Sequence, residues 1–208
     1  TAVLIVYLLS SVNVWAVEAD ERGIDRVGFG TPGQATWTAL TAHEHAVLTH
    51  FTQALSDRTS HAADDLLNLY LLASGDIRQA HEVQPYRQRI ADFFTEHDDI
   101  LHIHDPRERG ERLLQDMHQY FLRADQRSPL AGYDEDQSRL SELLRTGVYN
   151  CISSALLYLV LAEHAGLTTA GVIMPSHAFV QVTLPDGRVA DVETTAAEGF
   201  DVVRDKAF

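Results

Sequence analysis

The chain has 208 residues, 45% of them apolar and 22% charged, which suits a globular protein with a proper core. Against 16 Lys and Arg stand 30 Asp and Glu, a formal net charge of −14 that favours solubility and repels nucleic acid and anionic membranes, so neither is expected as a partner. One cysteine excludes an internal disulfide framework, though an exported protein can keep a lone catalytic thiol.

The first residue is Thr1, not Met, and the N-terminus is read as incomplete. Ala2 to Val17 is almost wholly apolar, and Val17-Glu18-Ala19 is a small-residue pattern of the kind a signal peptidase accepts. Charge begins at Asp20-Glu21. Residues 1–19 are therefore read as the remnant of a secretory signal peptide, which implies a periplasmic or extracellular protein. A membrane anchor and a packed N-terminal helix compete with this. The run is short for a bilayer span and holds Ser10, Ser11 and Asn13. Removing it leaves a single domain, 20–208.

Residues 20–39 mix four glycines, a proline and scattered charge, and read as a loop or lead-in. From 40 to 145 the pattern is helical. Thr41-Ala42-His43-Glu44 reads as a capping box, with Val47, Leu48, Phe51 and Leu55 facing inward. A second helix is expected over 61–73, stopped at Ser74-Gly75. Residues 77–97 suggest one or two helices, interrupted near Pro85. Asp105-Pro106 opens the next, with Leu113, Leu114, Met117, Tyr120 and Phe121 as its buried stripe. Residues 125–136 read as a polar linker, and 138–144 as a short helix before Gly147.

The core of the chemistry is expected in 146–208. Ile152 to His164 has no Pro or Gly and stops at Gly166, so it reads as a helix. Asn150 sits at the N-cap, which puts Cys151 in the first turn. Unpaired N–H groups and the positive end of the helix dipole stabilise a thiolate there. A buried structural cysteine is the bland alternative. Strand-like Ala170–Met174 ends at Pro175-Ser176, and a strand opens at His177. Pro185-Asp186-Gly187-Arg188 is a turn signal, followed by a strand over 189–195 that carries Asp191 and Glu193. A thiolate–imidazole pair needs a third group to orient the ring, and an acid on the neighbouring strand can supply it.

Other nucleophiles and ligands fit less well. Ser153 and Ser154 lie in no Gly-x-Ser-x-Gly elbow. His43 and His45, like His102 and His104, are two apart, a spacing that does not bring two helical side chains onto one metal. No zinc spacing includes Cys151, so no cofactor or metal is expected, with His102-x-His104-Asp105 as the residual candidate. His164 lies about 20 Å along the helix from Cys151 and cannot be its base.

Asn-Cys-x-Ser-x-x-Leu-Leu-Tyr on a helix, then His-Ala-Phe-Val, then a strand ending in an acid before Thr-Thr, resembles the transglutaminase-like superfamily. The resemblance spans about 133–201. It implies a papain-like α+β fold and a Cys-His-Asp triad, with Cys151 as nucleophile and His177 as base. The family usually shows Asp-Pro-Thr where this chain has Glu193-Thr194-Thr195, a departure that leaves Glu193 and Asp191 as competing acids. With Asp186-Gly187 as a two-residue turn, Glu193 falls opposite Val180 and Asp191 opposite Val182, which favours Glu193 by proximity to His177. Thr195 could orient the ring if neither acid arrives. Tyr149, Asn150 and the Cys151 N–H are the oxyanion candidates. A sheet of this type would want strands beyond residue 208. The expected activity is thiol-dependent acyl chemistry on an amide or peptide bond of a protein or peptide substrate, hydrolysis rather than amine transfer. The alternative is a non-catalytic peptide-binding or scaffold module that keeps the fold.

Overall fold

The computed structural model describes residues 2–10, 13–20, 23–30, 36–57, 63–122 and 132–201. The chain divides into two compact units, Thr1–Pro85 and Tyr86–Phe208.

The first unit opens with four antiparallel strands in sequential order: β1 (Ala2–Ser10), β2 (Asn13–Asp20), β3 (Gly23–Gly30) and β4 (Thr36–Ala39). The described residues of the apolar run at 2–17 are thus strand rather than helix. The loop expected over 20–39 is corrected too, since most of it pairs as β3 and β4. Glycines at both ends of β3 signal turns locally, but ladder pairing with β2 and β4 outweighs local propensity.

Two helices follow, α1 (Ala42–Asp57) and α2 (Ala63–Ala73). The expected capping box forms: the Thr41 N–H donates to Glu44 Oε2 at 2.6 Å, and the Glu44 N–H donates to Thr41 Oγ1 at 3.2 Å. Arg78 also donates to both Glu44 oxygens, at 2.8 and 2.9 Å. The carboxylate is only 2% exposed. Burial pushes its pKa up, but the bonds from Arg78 and Thr41 outweigh burial and hold it below the usual value.

Helix α3 (Ala80–Glu96) runs straight through Pro85, against the expected interruption. The proline forfeits one intrahelical bond in an early turn. Glu82 secures the helix start, accepting from the N–H groups of Arg78 and Gln79 at 2.8 and 2.7 Å.

The second unit adds α4 (Asp99–His102), α5 (Pro106–Phe121), α6 (Leu140–Thr146), α7 (Cys151–His164) and the strands β5 (Thr168–Met174), β6 (His177–Thr183) and β7 (Val189–Val192). The three strands form an antiparallel meander, and α7 packs on β5 and β6 with α5 and α6 against it. This is the α+β architecture expected. Asp105 caps α5 through Pro106 at its first position, accepting from the N–H groups of Arg107 and Glu108. Leu113, Leu114, Met117 and Phe121 are buried as the stripe predicts, while Tyr120 is half-exposed. Helix α7 is apolar nearly all round because neighbours cover it on several sides: Leu157, Tyr158, Val160, Leu161 and Ala162 are all buried.

The β6–β7 hairpin departs from the two-residue turn. Leu184 pairs with Arg188, and Pro185-Asp186-Gly187 forms a three-residue loop with Gly187 at φ 80°. Gln181 therefore faces Asp191, and Val180 faces Val192. A one-residue change of register moves every side chain to the other face. Here it puts Asp191 on the face of His177, Phe179 and Gln181. Strand β7 stops at Val192 instead of Thr195, and the chain turns so that the Glu193 N–H donates to the Gly199 carbonyl at 2.8 Å. A Cβ on Gly199 would lie 2.0 Å from the Glu193 carbonyl oxygen, so this turn demands glycine.

Candidate active site

The entry to α7 is fixed by reciprocal hydrogen bonds. Asn150 Oδ1 accepts from the N–H groups of Ile152 and Ser153 at 2.9 and 3.0 Å, and the Asn150 N–H donates to Ser153 Oγ at 3.0 Å. Asn150 Nδ2 donates to the Glu135 carbonyl at 3.0 Å and to Ser138 Oγ at 3.3 Å. The whole Asn150 amide is thus spent on holding the helix start, which removes it as an oxyanion donor. Ser153 Oγ donates in turn to the Gln137 carbonyl at 3.0 Å. Cys151 follows in the first turn as a free, partly exposed thiol, the position the N-cap reading predicts.

Tyr149 is 0% exposed, and its buried hydroxyl has no hydrogen-bond partner among the described residues. That placement takes the Tyr149 side chain away from any substrate carbonyl as well. Its backbone forms an isolated parallel bridge with Tyr133: the Tyr149 N–H donates to the Gly132 carbonyl and its carbonyl accepts from Asp134, each at 2.9 Å. The stretch 132–136, expected to be part of a linker, is therefore locked to the approach of α7.

His177 opens β6 after a tight turn in which Ser176 adopts φ 62°. Left-handed backbone is costly for a non-glycine residue and recurs where a neighbouring functional group must be aimed. The His177 imidazole donates from Nε2 to Glu193 Oε2 at 2.5 Å. Glu193 Oε1 accepts from Thr195 twice, from Oγ1 at 2.6 Å and from its N–H at 3.2 Å. Thr195 thus holds the acid rather than the imidazole. Phe179, two residues along the same face, lies parallel to the His177 ring with centroids 6.3 Å apart.

Asp191 is placed elsewhere. It accepts from Gln181 Nε2 at 2.9 Å, directly across the ladder, about 13 Å along the strand from His177. Ser154, one turn beyond Cys151, shares a 2.9 Å hydrogen bond with Thr194 Oγ1. The helix that carries Cys151 and the turn that carries Glu193 are so joined through adjacent residues.

Two residues that sequence reasoning passed over belong to this neighbourhood. His118, on α5, donates from Nε2 to the Thr194 carbonyl at 3.0 Å, and its ring stands edge-on to Tyr149. Burial lowers its pKa below the ordinary value, against smaller raising effects of the Thr194 carbonyl and Glu198. The signal was its spacing: His118 falls four residues after Leu114, on the apolar stripe. Tyr133 is the second. Burial raises its phenol pKa first, followed by the charges of Cys151, Glu135 and Glu193 and a hydrogen bond with Cys151. No local pattern marks it, because a backbone bridge brings it there.

Two other residues weighed in the sequence serve structure. His164 stacks on Phe94 with centroids 4.2 Å apart. Asp105 Oδ1 is engaged at the α5 cap. Among the described residues no three His, Cys, Asp or Glu side chains converge as a metal site.

The family model described as the transglutaminase-like superfamily matches residues 84–192. That segment is just over half of the chain and includes both Cys151 and His177, ending one residue before Glu193. Neither a curated protein nor a solved structure matches the chain. With a helix-borne thiol, a strand-opening histidine and the matched segment enclosing both, the chain belongs to the transglutaminase-like superfamily.

Proposed function

We propose that this protein performs acyl chemistry on an amide or peptide bond through Cys151, His177 and Glu193, with hydrolysis as its principal outcome. Superfamily membership supports cysteine-based acyl chemistry in general. The observation that carries the assignment here is the 2.5 Å bond between His177 and Glu193, with the carboxylate braced by Thr195. Glu193 occupies Nε2 and fixes the imidazole tautomer, which leaves Nδ1 to exchange the proton. The Cys151 sulfur attacks the carbonyl carbon, His177 takes the thiol proton, and the same proton passes to the leaving amine. A thioester remains on Cys151. Water then releases the acid; an amine in its place would complete a transfer.

The substrate in this reading is a protein or peptide met outside the cytoplasm. Support for export is the apolar run at 2–17 and the small-residue site at 17–19. Among the described residues no helix is long and apolar enough to cross a membrane.

A peptide mixture incubated with the protein, with and without a primary amine in excess, tests the reaction type. Mass spectrometry is expected to find hydrolysed products in both, lost in Cys151→Ser. Amine adducts with no hydrolysis would assign the protein as a transferase instead. Unchanged peptides in both would refute the proposed activity on this substrate class.

A further inference from the structure

We propose that Tyr133 is a catalytic residue, donating its phenolic hydrogen bond to the oxyanion that forms when Cys151 attacks a carbonyl. The inference rests on the reading of Cys151 as nucleophile and adds a residue to that site.

An attacked carbonyl gains negative charge on oxygen, and thiol enzymes meet it with two donors. The Cys151 N–H, at the first turn of α7, has no hydrogen-bond partner among the described residues and supplies one. The second has to come from a side chain near the sulfur. Asn150 is consumed by the helix cap and by Glu135 and Ser138. Tyr149 is fully buried. Ser153 Oγ is engaged with Asn150 and Gln137, and Ser154 Oγ with Thr194. His177 Nε2 is engaged with Glu193.

Tyr133 remains. Its backbone is pinned by the parallel bridge to Tyr149, two residues before the nucleophile. Its ring stands edge-on to that of Tyr149, with centroids 5.8 Å apart and planes 88° apart. The phenol is near enough to Cys151 for that residue to raise its pKa, has no hydrogen-bond partner elsewhere among the described residues, and sits on a half-buried side chain. A phenol held beside the residues that lead into Cys151 is in the neighbourhood of the carbonyl that the sulfur attacks. Burial and the negative charges of Cys151, Glu135 and Glu193 keep the phenol protonated, so it stays a donor through neutral pH.

The test compares two reactions at one sulfur. With p-nitrophenyl acetate, the S–C bond forms as the carbonyl π pair moves onto oxygen. That pair returns as the C–O bond to p-nitrophenolate breaks, leaving acetyl-Cys151. Iodoacetamide alkylates the same sulfur by displacing iodide at a saturated carbon, with no oxyanion. Tyr133→Phe keeps the ring against Tyr149 and removes only the donor. The expected result is an acylation rate lower by about 100-fold, the usual effect of losing one oxyanion donor, with the iodoacetamide rate unchanged. Equal acylation by wild type and Tyr133→Phe overturns the proposal, as does a parallel loss in both reactions, which would mean that Tyr133 acts on the thiol itself. If wild-type Cys151 is not acylated at all, the underlying reading of the site fails and takes the proposal with it.

Discussion

Ser154 Oγ and Thr194 Oγ1 lie 2.9 Å apart, both fully buried, and join the helix that carries Cys151 to the turn that carries Glu193. Thr194 is held from a second side, because its carbonyl accepts from His118. The acid's position is thus set by α5 and α7 together rather than by the hairpin alone. Thr194→Val leaves the buried Ser154 hydroxyl only its long 3.4 Å bond to the Cys151 carbonyl and is expected to cost about 1–3 kcal/mol. The Ser154→Ala/Thr194→Val double variant should cost less than the two singles combined. Urea unfolding of the four proteins measures this, and strict additivity would mean that the bond contributes nothing.

His118 gives a pH signature. Its folded-state pKa lies below the ordinary 6.5 because burial disfavours the charged ring. On acidification the unfolded chain therefore takes up this proton first. The His118 contribution is neutral well above pH 6.5 and becomes destabilising as pH falls through that value toward the lower folded one. His118→Gln, which keeps an N–H donor for Thr194 and cannot protonate, should lose less stability than wild type between pH ~7.5 and ~5.5. Thermal unfolding at both pH values reads the difference. Identical losses would place the acid sensitivity elsewhere.

The two carboxylates of the β7 region are separable by substitution. Glu193→Gln should cut turnover by about 10³–10⁴-fold, as removal of a triad acid does. Asp191→Asn keeps a hydrogen-bonding partner for Gln181 and should leave turnover near wild type. Steady-state rates on a common amide substrate decide between them, and the reverse ranking would contradict the assignment of the acid.

Much of this site was legible because its signals are local. A cap is a spacing of three residues, so Thr41-x-x-Glu44 and Asn150-x-x-Ser153 both formed. The helix over Cys151–His164 follows from the same cap and an unbroken apolar run. Pairing was harder. The hairpin register depends on whether Gly187 closes a two- or a three-residue loop, and Pro-Asp-Gly-Arg is compatible with both. Glu193 was the right neighbour for His177, reached by the wrong register, because the turn after Val192 and not the ladder delivers it. Strand β3 was missed because its glycines speak for turns and only its partners speak for a sheet. Tyr133 carries no local mark at all, since its place depends on a bridge to Tyr149.

Export makes a prediction about the first unit. Cleavage after Ala19 would remove β1 and nearly all of β2, leaving β3, β4 and the helices. Protein secreted by its host should then begin near Asp20 on N-terminal sequencing. Recovery with Ala2–Ala19 retained would contradict the signal reading and make β1 and β2 a lasting part of the fold.

In the proposed reaction Cys151 forms a covalent acyl intermediate with His177 as its base. Brief exposure to an activated ester, acid quench and peptide mapping by mass spectrometry tests it most directly. A single acyl group is expected on Cys151, absent in Cys151→Ser and strongly reduced in His177→Ala. An acyl group on another residue, or equal labelling of wild type and His177→Ala, would contradict it.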